Sequence, residues 1–205
     1  IVFRKEVLAI FVGLFELKNS ESLKFSLKVL ISMIPAAYIG YFYSQELETL
    51  FDQQILLVGA MLLVTGILLF IADQSKNTDR DVTHTHALII GLAQAIAILP
   101  GISRSGATIS TAVLLGIDRT KAATFSFLMV IPLILGKMTK DLLDGQLLFP
   151  SDQIHIMSAG FLAAFFTGIL ACRWMIALVE NAQLRYFSYY CFLVGSIAIV
   201  ANFSS

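Results

Sequence analysis

Five apolar segments, each about as long as a bilayer core is thick, dominate this chain of 205 residues. A helix needs roughly 20 mostly apolar residues to cross the hydrocarbon core, and its backbone polar groups must be paired within the segment. Charged residues make up only 14% of the chain, against roughly 25% in soluble domains. The segments are Ser26–Tyr43, Gln54–Ala72, Ala122–Lys140, His155–Val179 and Phe187–Phe203. The sequence therefore predicts an all-α, polytopic integral membrane protein with about five full transmembrane helices, a single membrane domain over residues 1–205.

One further apolar stretch, His84–Ile117, has a different pattern. It consists of two short arms, His84–Leu99 and Gly106–Ile117, separated by the turn Pro-Gly-Ile-Ser-Arg-Ser. Sixteen helical residues cover only ~24 Å at 1.5 Å each, short of the ~30 Å hydrocarbon core. We therefore expect a re-entrant helical hairpin over residues 84–117, whose turn is buried in protein or lines a wet cavity. If each arm instead crossed the membrane completely, the other spans would keep the same orientation. Only the shortness of the arms argues against two complete crossings.

The basic residues predict an orientation for this arrangement. Most of them, including Lys76, Arg80, Arg119 and Lys121, fall at one end of the predicted spans, whereas Lys137 and Lys140 fall at the other. Lys and Arg are enriched on the cytoplasmic side of membrane proteins. This places the mouth of the hairpin, the open end at residues 84 and 117, in the cytoplasm. The loops at residues 45–52 and 141–154 then lie outside. The equal numbers of acidic and basic residues say nothing about partners.

Arg104 is the one basic residue deep within an apolar stretch, in the run Leu99–Ile109. A charge at membrane depth is costly, so it is rare and usually functional, although an arginine can also snorkel to the interface. Gly101 and Gly106 allow a tight turn that aims several N–H groups at one point. A guanidinium fork at the positive N-terminus of a helix suits a phosphate or pyrophosphate.

The other polar residues of the hairpin have two readings each. Ser103 and Ser105 can cap the following helix, contact a phosphate through the same framework, or do both. Thr108 and Ser110 can bond back to the helix backbone or face the site. Gln94 can bridge membrane helices or contact substrate.

His84 and His86 form a His-x-His pair at the mouth of the hairpin. The pair suggests metal ligands, but no third and fourth ligand is evident, so solvation in a loop is the preferred interpretation. Cys172 and Cys191 lie in apolar segments and predict neither a disulfide framework nor a metal site.

The run Gly91–Ile109, GLAQAIAILPGISRSGATI, resembles the second signature of bacterial undecaprenyl-diphosphate phosphatases, the family also called bacitracin-resistance proteins. Three shorter segments, Phe125–Leu128, Ile131–Pro132 and Ile34–Ala37, also match that family's pattern. The resemblance covers essentially the whole chain, and the Pro-Gly-x-Ser-Arg-Ser-Gly run is specific.

The resemblance implies a membrane hydrolase that converts undecaprenyl diphosphate to undecaprenyl phosphate and phosphate, recycling the lipid carrier for peptidoglycan synthesis. It implies a multi-pass protein of the bacterial inner membrane with its active site facing the periplasm, and a divalent cation such as magnesium or calcium. The expected partners are the polyprenyl diphosphate and membrane lipid, with a homodimer possible and no nucleic acid. By resemblance, the phosphate-binding and catalytic positions are Ser103, Arg104, Ser105 and Thr108. The expected substrate-binding residues are Gly101, Gly106 and Gln94.

The sequence departs from the family pattern at one point. The family has an earlier hairpin with two glutamates four residues apart, whereas Glu16 and Glu21 are five apart and no serine-histidine run follows them. We therefore expect this chain to hold one half of an inverted-repeat fold, with the metal ligands and the nucleophile or general base in the other half. The rival function is a transporter or flippase of a phosphorylated lipid or anion, because broken helices near the midplane also serve transport.

Overall fold

The computed structural model describes residues 3–4, 6–8, 21–43, 46, 49–50, 54–76, 78–143 and 154–204. The long elements in these ranges are all α-helices, and the described part of the chain contains no β-strand. In chain order the helices are α1 (Glu21–Phe42), α2 (Ile55–Asp73), α3 (His84–Ile96), α4 (Arg104–Leu114), α5 (Arg119–Leu143), α6 (Ile154–Glu180) and α7 (Leu184–Ser204). Helices α1, α2, α5, α6 and α7 are long and apolar enough to cross a membrane. The prediction of an all-α, polytopic membrane protein is confirmed.

The predicted spans agree with these helices to within a few residues. The largest difference is at the start of α1, which begins at Glu21, five residues before the predicted segment; α5 extends three residues further at each end, and α7 begins three residues earlier. At the start of α5 the reason is a cap, because the Asp118 carboxylate accepts a hydrogen bond from the Lys121 N–H at 2.9 Å. Most of the two loops predicted to lie outside, and most of the opening segment at residues 1–17, fall outside the described residues.

Helix α2 packs along α7 in antiparallel orientation and also contacts α4. Gly59 of α2 lies against Gly195, and Gly66 lies against the Phe192 ring, so small residues permit the close approach. The Ser188 hydroxyl of α7 donates to the Gly66 carbonyl at 2.7 Å. This pair of full spans forms one wall beside the hairpin.

The short helices α3 and α4 pack against each other and against the full spans, and α3 leaves one face, with Leu88, Leu92 and Ile96, exposed. Helix α3 packs mainly on α1, whereas α4 packs on α2 and α5. The buried core lies among these elements and includes Ile90, Ile109, Phe125 and Leu128. Helix α6 packs against α5 and leaves nearly all of its side chains exposed.

Side chains at the mouth of the hairpin tie its two ends together. Arg119, only 5% exposed, donates from Nη2 to the carbonyls of Asp73 at 3.0 Å and Ser75 at 2.9 Å. It thereby satisfies carbonyls that the last turn of α2 leaves unpaired. Lys121 Nζ lies 2.8 Å from the Asp81 carboxylate, and this hydrogen bond holds the pKa of Asp81 below its usual value.

Candidate functional site

The two arms of the hairpin are joined by a tight turn that Pro100 and Gly101 dictate. The Ile102 N–H donates to the Leu99 carbonyl at 3.3 Å, and Gly101 has a φ of +93°. Proline followed by a residue with positive φ is the pattern of a type II turn, in which glycine is favoured at the second position. A Cβ on Gly101 would also lie 2.4 Å from the Val58 carbonyl oxygen of α2. Gly101 therefore allows the turn both its shape and its close contact with α2.

The second arm begins at a capped helix terminus that is held against α2. Ser103 is the N-cap residue of α4, and its hydroxyl accepts from the Gly106 N–H at 3.2 Å. The Ser103 N–H in turn donates to the Thr65 hydroxyl of α2 at 3.2 Å. A Cβ on Gly106 would meet the Ser103 and Thr65 side chains at 3.1–3.2 Å, so this turn is closely packed.

Two backbone donors at this helix terminus have no hydrogen-bond partner in the described part of the chain. They are the N–H groups of Arg104 and Ser105, the first two residues of α4. The Arg104 guanidinium and the Ser105 hydroxyl likewise make no hydrogen bond or ion pair with the described residues, and both side chains are half-buried. Three kinds of donor that suit an oxyanion, namely backbone N–H groups, a guanidinium and a hydroxyl, are therefore present in the first turn of α4, at the positive end of the helix dipole.

Thr108, one turn further along α4, is placed differently from these residues. It is 1% exposed, and its hydroxyl donates to the Arg104 carbonyl at 2.9 Å. The Ser126 hydroxyl oxygen of α5 lies 2.6 Å from the Thr108 hydroxyl oxygen. Either hydroxyl can be the donor in this second bond. Thr108 thus joins the start of α4 to α5, and its catalytic role stays a prediction.

Gln94 and Ser110 are buried polar residues whose side chains have no hydrogen-bond partner within the described residues. Gln94 is 1% exposed with both amide atoms unpaired, and the Ser110 hydroxyl is equally buried. A buried unpaired polar group costs roughly 1–3 kcal/mol. Among the described residues nothing offsets this cost for Gln94 or Ser110. The substrate contact predicted for Gln94 is still a prediction.

The start of α4 lies near the middle of the membrane-spanning bundle. Its anchor, Thr65, is ten residues after the start of α2 and eight before its end, or about 15 Å and about 12 Å at 1.5 Å per residue. Gly101 lies further along, beside Val58, one turn from the α2 residue Ile55. The turn thus reaches toward the end of α2 opposite the mouth of the hairpin.

The hairpin helices themselves are short, as predicted. Helix α3 has 13 residues and α4 has 11, or about 20 Å and about 16 Å. Helix α4 ends at Leu114 because Gly116, with a φ of +79°, closes a Schellman motif: its N–H bonds to Val113 and the Ile117 N–H bonds to Ala112. Entry and exit of the hairpin at one membrane face stay a prediction.

His86 has a structural role that the sequence interpretation missed. Its Nδ1 accepts from the Thr83 N–H at 3.4 Å while its own N–H donates to the Thr83 hydroxyl, closing a capping box at the start of α3. No group of three or more His, Cys, Asp or Glu side chains within the described ranges could hold a metal ion. Cys172 and Cys191 are both free.

Sequence reasoning gave Thr65 and Ser126 no role of their own, and it used Arg119 only as a marker of membrane orientation, not as a residue that bonds to the end of α2. A single hydroxyl within an apolar span usually bonds to its own helix, and Thr65 does donate to the Met61 carbonyl at 3.1 Å. Its second bond, to a residue 38 positions away, leaves no local signal. Ser126 lay in a recognised motif, but its contact with Thr108 depends on how α4 and α5 pack.

A polytopic helical bundle with a broken helix pair, and with Arg104 at a capped helix terminus inside it, is the architecture expected of a membrane protein that binds an anionic ligand. The family model described as bacitracin resistance protein BacA matches residues 1–197. The chain belongs to this family.

Several relatives of the chain are named undecaprenyl-diphosphatase. An undecaprenyl-diphosphatase of Christiangramia forsetii is 55% identical over 200 residues, which are 98% of this chain and 76% of that protein. One from Bacteroides fragilis is 43% identical over 209 residues, covering 98% of this chain and 77% of the relative. One from Methanococcus vannielii is 34% identical over 206 residues, covering 97% and 78%.

Proposed function

We propose that this protein hydrolyses undecaprenyl diphosphate to undecaprenyl phosphate and inorganic phosphate, the activity for which its relatives are named. The observation that carries the proposal is the first turn of α4, where the Arg104 guanidinium and two backbone N–H groups are free of partners in the described chain. A diphosphate offers the densely charged oxygens that such donors bind.

In this reaction a water oxygen forms a bond to the terminal phosphorus, and the bond between that phosphorus and the bridging oxygen breaks. Undecaprenyl phosphate leaves with the bridging oxygen, and the protons of the water pass to the products or to solvent. Negative charge accumulates on the bridging and terminal oxygens. Arg104 binds two of these oxygens through its planar fork, and the N–H groups of Arg104 and Ser105 hold a third at the positive helix end. Donors fixed in advance in a site of low dielectric stabilise this charge more strongly than water does. The hydroxyl of Ser105 adds a further donor.

The isoprenoid tail of the substrate needs an apolar path beside the site. A groove of about 760 Å³ is lined mostly by apolar side chains, with Glu46 as the one charged residue among the described residues that line it: Ile34, Pro35, Tyr38 and Ile39 of α1, Tyr43, Glu46 and Leu50 beyond it, and Leu92 of α3. Leu92 lies on the arm that leads into the turn. We assign the tail to this groove, where it exchanges lipid contacts for protein contacts at little cost.

The proposed orientation places the phosphate site on the periplasmic side of a bacterial inner membrane. The mouth of the hairpin carries Arg80, Arg119 and Lys121, and such a cluster favours the cytoplasmic face. The turn at Gly101 extends from mid-bundle toward the opposite end. A diphosphate lipid whose headgroup lies in the outer leaflet then reaches Arg104 without crossing the bilayer.

The magnesium or calcium ion that the family resemblance implies does not fit the residues beside Arg104. No carboxylate lies within ion-pair distance of its guanidinium in the described part of the chain, and these residues include no candidate metal cluster. Hard divalent cations take oxygen ligands, chiefly carboxylates. The charge stabilisation that the described residues themselves can supply is that of Arg104 and the backbone donors, and the expected ligands of the ion lie outside these residues.

Release of inorganic phosphate tests the proposal. The complete gene product, purified in detergent with magnesium, is mixed with undecaprenyl diphosphate, and phosphate is measured over time. A phosphatase releases phosphate in this single compartment, and Arg104→Ala abolishes the release. Absence of release from the folded wild-type protein contradicts the proposal and favours a transporter, which needs two compartments to show activity.

A further inference from the structure

We infer that Thr65, a residue of α2 outside the hairpin, positions the phosphate-binding donors of α4. The inference rests on the proposed function. Thr65 is fully buried, and its hydroxyl is the acceptor for the Ser103 N–H. Its hydroxyl is engaged by the Met61 carbonyl and the Ser103 N–H, so we assign it a positioning role and not a catalytic one.

The hydroxyl of Thr65 acts both as a hydrogen-bond donor and as an acceptor. It donates its proton to the Met61 carbonyl of its own helix, which fixes the oxygen in place, and it accepts from Ser103. The Ser103 N–H is therefore directed at α2 and away from any ligand. The next two N–H groups along the chain, those of Arg104 and Ser105, are left as the free pair.

The methyl group of Thr65 contributes separately to the same turn. It lies where a Cβ on Gly106 would approach it to 3.2 Å, so it packs directly under the first turn of α4. The side chain thus fixes α4 in two ways: a hydrogen bond sets the rotation of the N-cap peptide, and the methyl sets the distance between the helices. Misplacement of catalytic donors by about 1 Å can cost about 100-fold in rate.

Two substitutions separate these contributions. Thr65→Val keeps the shape and the methyl packing but removes the acceptor, leaving the Ser103 N–H buried and unpaired. Thr65→Ser keeps the hydroxyl and removes the methyl. We expect Thr65→Val to lower kcat by about 10- to 100-fold with KM changed less than about threefold, because about 1 Å of donor displacement acts mainly on the transition state. Thr65→Ser should retain kcat within about threefold of wild type.

The matched control is Thr167→Val on the exposed helix α6. The Thr167 hydroxyl makes the same kind of bond to a carbonyl four residues earlier, Ala163, but no bond to another helix. Each variant is assayed after size-exclusion chromatography, so that kcat refers to folded protein, and its thermal midpoint is recorded. The control should match wild type in kcat.

The outcomes distinguish this inference from the proposed function. No phosphate release from the wild-type protein overturns the proposed function, whatever Thr65 does. Release by wild type together with an unchanged kcat in folded Thr65→Val overturns the positioning role alone. A lowered thermal midpoint with unchanged kcat shows a purely structural residue and also overturns it. A loss of kcat in Thr65→Val, restored in Thr65→Ser, supports the inference.

Discussion

The polar residues Ser103, Arg104, Ser105 and Thr108 have different roles, which their hydrogen bonds distinguish. Ser103 caps α4, and Thr108 joins α4 to α5 through Ser126. Arg104 and Ser105 have donors to offer a ligand. The motif predicted that all four matter, but only the positions of neighbouring helices divide them into structural and ligand-facing groups.

Removal of the hydroxyl from two buried serines near this run, Ser126 and Ser110, should have different effects on the stability of the protein. Ser126→Ala loses a bond to Thr108 and should lower stability by about 1 kcal/mol, since that is typical of a buried hydrogen bond. Ser110→Ala removes a hydroxyl with no partner among the described residues and should leave stability unchanged or raise it. Thermal midpoints in detergent test both variants. A loss in Ser110→Ala as large as that in Ser126→Ala would show that Ser110 has a partner.

At the scale of helices, contact between backbones fixes the position of the hairpin. A Cβ on Gly91 of α3 would lie 2.3 Å from the Ser32 carbonyl oxygen of α1, too close for any side chain. The sequence predicted α3 and α4 as short arms because their apolar runs are short. It could not predict which full spans enclose them, since that depends on such contacts between distant residues.

Gly91→Ala should therefore force α1 and α3 apart. We expect a loss of about 2 kcal/mol or more in stability, within or above the usual cost of overpacking. The matched variant is Gly40→Ala on α1, where a Cβ would meet nothing within 4 Å. Alanine is favoured over glycine in a helix by about 1 kcal/mol, so Gly40→Ala should be neutral or stabilising. Equal thermal midpoints for the two variants would refute the close packing of α3 on α1.

For the whole molecule, the five spans could be predicted because length and hydropathy alone determine whether a helix can cross a bilayer. The candidate site could be proposed from Arg104 because a charge within an apolar run is rare and usually functional. The depth of the site was not predictable, since it follows from Thr65 and Val58, two ordinary residues of an apolar span. That depth, combined with the basic mouth of the hairpin, gives the molecule its proposed orientation.

Accessibility to a membrane-impermeant maleimide tests this orientation. Asp79 lies exposed in the loop at the mouth of the hairpin, and Lys140 lies exposed in the last turn of α5, at the opposite end. In a background with Cys172→Ala and Cys191→Ala, spheroplasts should label the Lys140→Cys variant at once. They should label Asp79→Cys only after the membrane is permeabilised. The reverse pattern would place the mouth of the hairpin outside the cell.

The central claim is that the Arg104 fork stabilises charge on the diphosphate, and Arg104→Lys tests it most directly because it keeps the charge and removes the bidentate geometry. The measurement is kcat/KM for phosphate release from undecaprenyl diphosphate by the complete gene product, with Arg185→Lys on the exposed start of α7 as the matched control. We predict a loss of about 100-fold or more for Arg104→Lys, as for removal of one preorganised oxyanion donor, and no change for the control. A folded Arg104→Lys variant that retains kcat/KM within about threefold of wild type would contradict the account.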